Sequence, residues 1–240
     1  MGRHFAKSAK QHARLPSSRR NPPPIRSRRL KRWSRLRAME RHSARYARKC
    51  EQLRSHQMNE ATLQNTLWAD DTELGDWHVH WLLDGARDPD IANLVRSSGL
   101  EHTCLFSGQL HPRLQAAAPY LVHLPLGSPA TTELLKRGWG KAWGIFTIAK
   151  ADITLAEQRL HLKKFLRVQT EDGKLLAFRY YDPRVLNTYL PTCTSEEFRD
   201  FLGPLARFIA ESDGGNKALE FTLHDDAMRI QEHPVVRESL

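Results

Sequence analysis

The chain has 240 residues, 40% of them hydrophobic, enough for one large domain or two small ones. Its net charge of +10 suggests an anionic partner until it is divided. Residues 1–57 hold 18 Lys/Arg against Glu40 and Glu51, a net of +16, whereas the remaining 183 residues hold 19 Lys/Arg against 25 Asp/Glu, a net of −6. The whole-chain charge therefore says nothing about the folded part. No run approaches the roughly 18 apolar residues of a membrane span, and no secretory h-region opens the chain. Cys50, Cys104 and Cys193 stand far apart without CxxC spacing, which argues against a disulfide framework or a zinc ribbon. A cytoplasmic protein is expected.

Residues 1–57 are rich in Arg, Pro and Ser and are expected to be disordered alone, because they cannot bury enough apolar surface to offset their ordering entropy. Two readings of this leader stand side by side. One is an arm for nucleic acid, with Trp33 or Tyr46 available for stacking. The other is an over-long start, with Met58 opening the globular sequence.

WHVHWLLDGA (77–86) alternates and predicts a buried strand. DPDIANLVRSSGL predicts a helix capped by Asp88, with Pro89 in its first turn and Gly99 as its stop. A strand over 101–108, a short helix in HPRLQAAAP, a strand over 119–125, a helix from Ser128 to Gly138 and a strand over 142–150 follow. This alternation predicts an α/β fold: a largely parallel or mixed sheet with flanking helices. A smaller helical and hairpin C-terminal lobe is expected after it, dividing the domain into 58–150 and 151–240.

In the second half, Thr154 and Glu157 stand at capping-box spacing, as do Thr194 and Glu197. Glu171-Asp172-Gly173 predicts a hairpin turn between two strands, the second running on through FRYY. TSEEFRDFLGPLARFIAE predicts one long helix with a kink at Gly203-Pro204. A last strand is predicted in GGNKALEFTLHDD, followed by a polar tail.

Candidate chemistry is sparse. His78-x-His80 could hold a metal, but His102, His111, His123, His161 and His224 fit no barrel frame, and two polar residues on the less buried face of an edge strand is the simpler account. Cys104 and Cys193 lack an activating neighbourhood in sequence. GxSxG, GxGxxG and GxxxxGK[ST] are absent. In RGWGKAWGIF, Gly138 and Gly140 alternate with Trp139, and Trp143 follows; the block is either a core-closing turn or an aromatic docking patch. In FRYYDPRVL, Asp182 and Pro183 form a strand-to-helix corner. Asp182 caps the helix and leaves Arg184 able to reach a carboxylate. The apparent catalytic cluster of Tyr180, Tyr181, Asp182 and Arg184 thus reads as structural.

LLDGARDPDI, APYLVHL, RGWGKAWGIF, HLKKFLRVQTEDGKLLAFRYYDPRVLNTYLPTCT and FLGPLARFIAE stand in that order between about Trp77 and Glu211. Together they resemble the bacterial type VI secretion adaptor chaperones (Tap/Tec-like). The resemblance implies a non-catalytic cytoplasmic protein without metal or cofactor, whose partners are a secreted toxin effector and a VgrG spike protein. Membrane binding is not implied, and nucleic acid only through residues 1–57. By the same resemblance Asp84, Gly138, Trp139, Gly140, Phe178, Arg179, Asp182, Pro183 and Arg184 keep the fold and shape the docking surface. Trp143 and Tyr181 are grouped with them as partner-binding or fold-defining residues.

Overall fold

WHVHWLLD lies at the centre of the molecule rather than at an edge. A computed structural model describes residues 56–58, 60–68, 76–169, 172–235 and 237–239. Of the basic leader, residues 1–55 lie outside the described ones, while its last two, His56 and Gln57, pair with Ser239 and Glu238 in a two-stranded sheet that runs across the expected boundary at Met58. In chain order the elements begin with β1 (His56–Met58), α1 (Glu60–Leu67), β2 (Trp77–Asp84), α2 (Ile91–Ser97) and β3 (His102–Cys104). Then come α3 (Pro112–Ala116), β4 (Pro119–His123), α4 (Pro129–Gly138), β5 (Gly144–Lys150) and α5 (Leu155–Lys163). The rest are β6 (Arg167–Gln169), β7 (Leu175–Ala177), α6 (Pro183–Tyr189), α7 (Ser195–Leu202), β8 (Arg207–Ser212), β9 (Lys217–His224), β10 (Ala227–Pro234) and β11 (Arg237–Ser239).

Seven strands form one sheet in the order β10-β9-β8-β5-β2-β4-β3. The α/β class with flanking helices is as the sequence predicts. The sense of pairing is not: every adjacent pair runs antiparallel, so the expectation of parallel or mixed strands is corrected. Helices between consecutive strands usually mark parallel crossovers. Here β2 pairs with β4 and β5, each running back against it, and the helices pack on the sheet without making such a crossover. Strands from both halves of the chain share the sheet, with β5 registered against β8 from Ile145↔Ala210 to Ile148↔Arg207.

Each face of the sheet is covered by helices. Val79, Trp81 and Leu83 of β2 with Phe146 and Ile148 of β5 face α1, α2 and α4 through Leu63, Leu67, Ile91, Val95, Leu134 and Leu135. Leu82, Ile145, Phe208 and Phe221 face α5, α6 and α7 through Leu162, Leu186, Tyr189, Phe198, Phe201 and Leu202. An antiparallel sheet often leaves one face to water. This one buries both, so His80, Leu82 and Asp84 on the second face of WHVHWLLD are buried although two of the three are polar.

Local signals place most boundaries. Thr154 and Thr194 form complete capping boxes with Glu157 and Glu197. The predicted hairpin is present as β6–β7, registered from Arg167↔Ala177 to Gln169↔Leu175, and forms a separate two-stranded sheet.

Five expectations are corrected. Helix α2 begins at Ile91, because Asp88 binds the Asp90 amide in a local turn (Oδ1 to N, 3.0 Å) instead of capping. The strand expected over 101–108 is only three residues long. The strand through FRYY ends at Ala177, with a turn following at Tyr180–Asp182. The long kinked helix stops at Leu202: Gly203 adopts φ 57° and Pro204 has no amide to donate, so Phe208 and Ile209 belong to β8. The polar tail is strand β10, paired with β9 through a turn in which Asp225 and Asp226 both have positive φ. No helix among the described residues is long and apolar enough to cross a membrane.

Candidate functional site

Strand β2 ends in Asp84, whose side chain is fully buried. Its amide donates to the Trp143 carbonyl at 2.7 Å, which ties the strand end to the loop before β5. One carboxylate oxygen, Oδ1, accepts from the Ala86 amide. The other, Oδ2, takes Nε of Arg179 at 3.1 Å and also its Nη2, so the guanidinium closes on a single oxygen. Burial pushes the Asp84 carboxyl up, while Arg179 pulls it back down. The same burial pushes the Tyr181 hydroxyl up to about 12, with the Asp84 charge adding to the effect.

Asp182 is the second buried carboxylate. It caps α6, accepting from the Arg184 amide at 3.0 Å, with Pro183 at the first helical position. The Arg184 side chain folds back onto it: Nε lies 2.9 Å from Oδ1 and Nη2 binds Oδ2. Two-point pairing of this kind fixes the plane of a guanidinium as well as its position. The carboxylate that Arg184 reaches is thus its own helix cap.

A third arginine completes the corner. Arg87, just after β2, donates Nε to the Ala142 carbonyl and Nη2 to the Lys141 carbonyl. Burial, then the neighbouring Arg184 charge, push the Arg87 guanidinium down; Arg179 acts in the same sense. Three guanidinium groups thus crowd around two buried carboxylates, and the Arg179 and Arg184 side chains remain 44% and 49% exposed. The corner offers positive charge to solvent from groups whose orientation is already set.

Phe178 and Tyr180 face inward behind this surface. Both are fully buried and their rings lie 5.8 Å apart, with the Tyr180 hydroxyl donating to the Leu162 carbonyl.

The glycine–tryptophan block lies beside the corner. Trp139 and Trp143 are both buried, and Trp139 Nε1 donates to the Gly215 carbonyl at 2.8 Å. Gly138 admits no side chain, since a Cβ there would fall 2.5 Å from the Trp143 ring. Gly140 turns the chain with φ 81°. Glu211 of β8 then accepts from the Gly140 and Ala142 amides, both at 2.6 Å. The structure therefore brings the sequence-selected residues into two adjoining groups: Asp84, Phe178, Arg179, Tyr181, Asp182, Pro183 and Arg184 at the corner, and Gly138, Trp139, Gly140 and Trp143 in the turn.

Two residues of this region escaped sequence reading. Arg87 sits in an unremarkable loop, and its contacts lie 54 and 55 positions away. Glu211 did leave a trace, as an acid closing the apolar run LARFIA, but its amide partners are 69 and 71 positions upstream.

The scaffold defines a class first: a three-layer antiparallel α/β domain carrying a preset cationic corner. The chain belongs to the family described as Domain of unknown function (DUF4123), which matches residues 79–200, half of its length and both site segments. That family is associated with type VI secretion effector adaptors. Comparison with curated proteins and with solved structures finds no match.

Proposed function

We propose that this protein is a cytoplasmic, non-catalytic adaptor chaperone that binds a cognate type VI secretion effector and helps load it onto a VgrG spike. The family match over residues 79–200 carries the reading, because it spans the same blocks, from LLDGARDPDI to the FRYYDPRVL corner, on which the sequence resemblance rests. The corner's chemistry supports it. Asp84 and Asp182 are each engaged by a guanidinium and by a backbone amide, an arrangement suited to holding a surface rather than moving protons.

In this reading Arg87, Arg179 and Arg184 meet the partner. Arginine is favoured at interface anchor points because its fork is pre-organised and weakly hydrated. On a globular part with net charge −6, the corner is a local reversal of sign, and it would steer an acidic segment of the effector.

The test is co-purification of the tagged full chain from its native host, with partners identified by mass spectrometry. Recovery of a large toxin-like polypeptide together with a spike protein is expected. Recovery of neither would sink the proposal. Arg184→Ala, which leaves Asp182 its bond to the residue-184 amide, is expected to weaken recovery of the effector while leaving the circular dichroism spectrum unchanged.

A further inference from the structure

The main sheet ends on two unlike edges. At β3 the edge is only three residues long. The Leu105 amide bonds the Pro119 carbonyl of β4 at 2.9 Å, so the preceding residue, Cys104, directs its own backbone groups away from the sheet. Arg159 of α5 occupies that side, donating Nε to the Cys104 carbonyl at 2.6 Å and Nη2 to the Phe106 carbonyl at 3.1 Å. No further strand can add there.

The β10 edge has no such guard. It is eight residues long and pairs with β9 in unbroken register from Ala227↔His224 to Pro234↔Lys217, with no bulge and no lysine. Shortness, lysine, a bulge or a covering segment are the usual means of blunting an exposed edge. Among the described residues β9 is its sole neighbour in the sheet. Just past its end the Val235 amide bonds the Asn216 carbonyl at 2.8 Å, which fixes the phase of the ladder. Ala227, Arg229, Gln231 and His233 bond to β9, whereas Met228, Ile230 and Glu232 turn both N–H and C=O outward. Pro234 falls in the outward set, where its missing N–H spares the ladder with β9 and ends the open edge. Ile230, at the centre of that set, is 42% exposed. Among the described residues it is the one large apolar side chain so exposed on a strand of the main sheet.

We propose that β10 is a homodimer contact: two copies of the chain pair antiparallel along it, about a two-fold axis through Ile230, and join their sheets into one. Such an axis stands normal to the sheet and keeps every side chain on its own face, so the strands align on a residue that meets itself. Centred on Ile230, Met228 of each copy meets Glu232 of the other, and every outward amide finds a carbonyl. The two Ile230 side chains cover each other. On the opposite face Arg229 meets Gln231 and His233 meets Ala227, so no like charges stand directly opposed. Centred on Gln231 instead, Met228 would meet Pro234, which has no amide to return, and Ile230 would meet Glu232. The strand is thus complementary to itself in one register, and a second copy is the occupant that this pattern fits.

The experiment is sedimentation equilibrium of the full chain from low to high micromolar concentration. A monomer–dimer equilibrium with a micromolar dissociation constant is expected. Ile230→Lys sets two ammonium groups against each other on the axis and is expected to weaken the dimer at least tenfold. Ile230→Pro removes an N–H that β9 does not use, so it is expected to give a monomer with the natural circular dichroism spectrum. Leu160→Lys, the same kind of change at an exposed leucine of α5, is the control and should leave the dimer intact. A natural chain that stays monomeric throughout, a dimer indifferent to the substitutions at Ile230, or one weakened equally by Leu160→Lys overturns the proposal. If Ile230→Pro alters the spectrum, Ile230→Lys decides the matter.

Discussion

The Trp139–Trp143 turn and the Asp84–Asp182 corner adjoin, and each is organised by buried carboxylates, yet they use them in opposite ways. In the turn, Glu211 gives both oxygens to backbone amides, at Gly140 and Ala142, and the tryptophans close over the result. Its charge is consumed internally. In the corner, Asp84 and Asp182 each take one backbone amide but also hold an arginine side chain, and those side chains keep nearly half their surface in water. A carboxylate that binds backbone fixes the path of the chain. A carboxylate that binds a half-exposed arginine fixes the pose of a surface group.

Substitutions should separate the two regions. Glu211→Ala strands one buried and one half-buried amide donor and is expected to give the largest loss, about 3–5 kcal/mol, read by chemical denaturation. A loss under about 1 kcal/mol would show that the turn does not depend on it. Asp84→Ala frees Arg179, whose outer half is solvated, so the cost should be smaller, about 2–3 kcal/mol. If the two losses prove equal, the contrast between closed turn and open corner fails.

A buried group outside both regions serves as a control. His161 of α5 bonds the Phe201 carbonyl through Nε2 at 2.9 Å, and burial lowers its pKa below the usual 6.5. The unfolded chain then binds the proton first, so this group's contribution is present above about pH 6.5 and lost as pH falls. The slope is at most about 1.4 kcal/mol per pH unit. His161→Gln is expected to flatten that part of the stability–pH curve without altering the effects of Glu211 or Asp84 substitutions. The smallest stability effect is expected for Arg184→Ala, no more than about 1 kcal/mol, because Asp182 keeps its bond to the residue-184 amide. Its effect on partner recovery should be much larger than its effect on folding.

How legible these features were in sequence follows the range of the interactions. The two capping boxes and the β6–β7 hairpin are set by neighbours three to ten residues apart, and sequence places them well. The corner's helix cap was readable for the same reason: Asp182, Pro183 and Arg184 are adjacent. The Asp84–Arg179 pair spans 95 positions and the Glu211 contacts about 70, and no local pattern encodes either. Strand β10 was missed because as an edge strand it is mostly exposed, so its residues lack the apolar alternation that identifies strands. Phe208 and Ile209 were assigned to a helix because their spacing from Phe201 and Leu205 fits a helical period. The positive φ at Gly203 decided otherwise.

The order in which the sheet's two faces are covered has a consequence during synthesis. The helices over one face precede β5, whereas α5, α6 and α7, which cover the other, all follow it, and β8 closes against β5 only after them. A nascent chain that has just emitted Lys150 holds four sheet strands with Leu82, Leu121 and Ile145 bare on one side. It stays that way for some fifty residues, several seconds at about 5–20 residues per second. A ribosome pausing in that interval would expose a sticky half-sandwich, so the chain itself needs protection while it is being made.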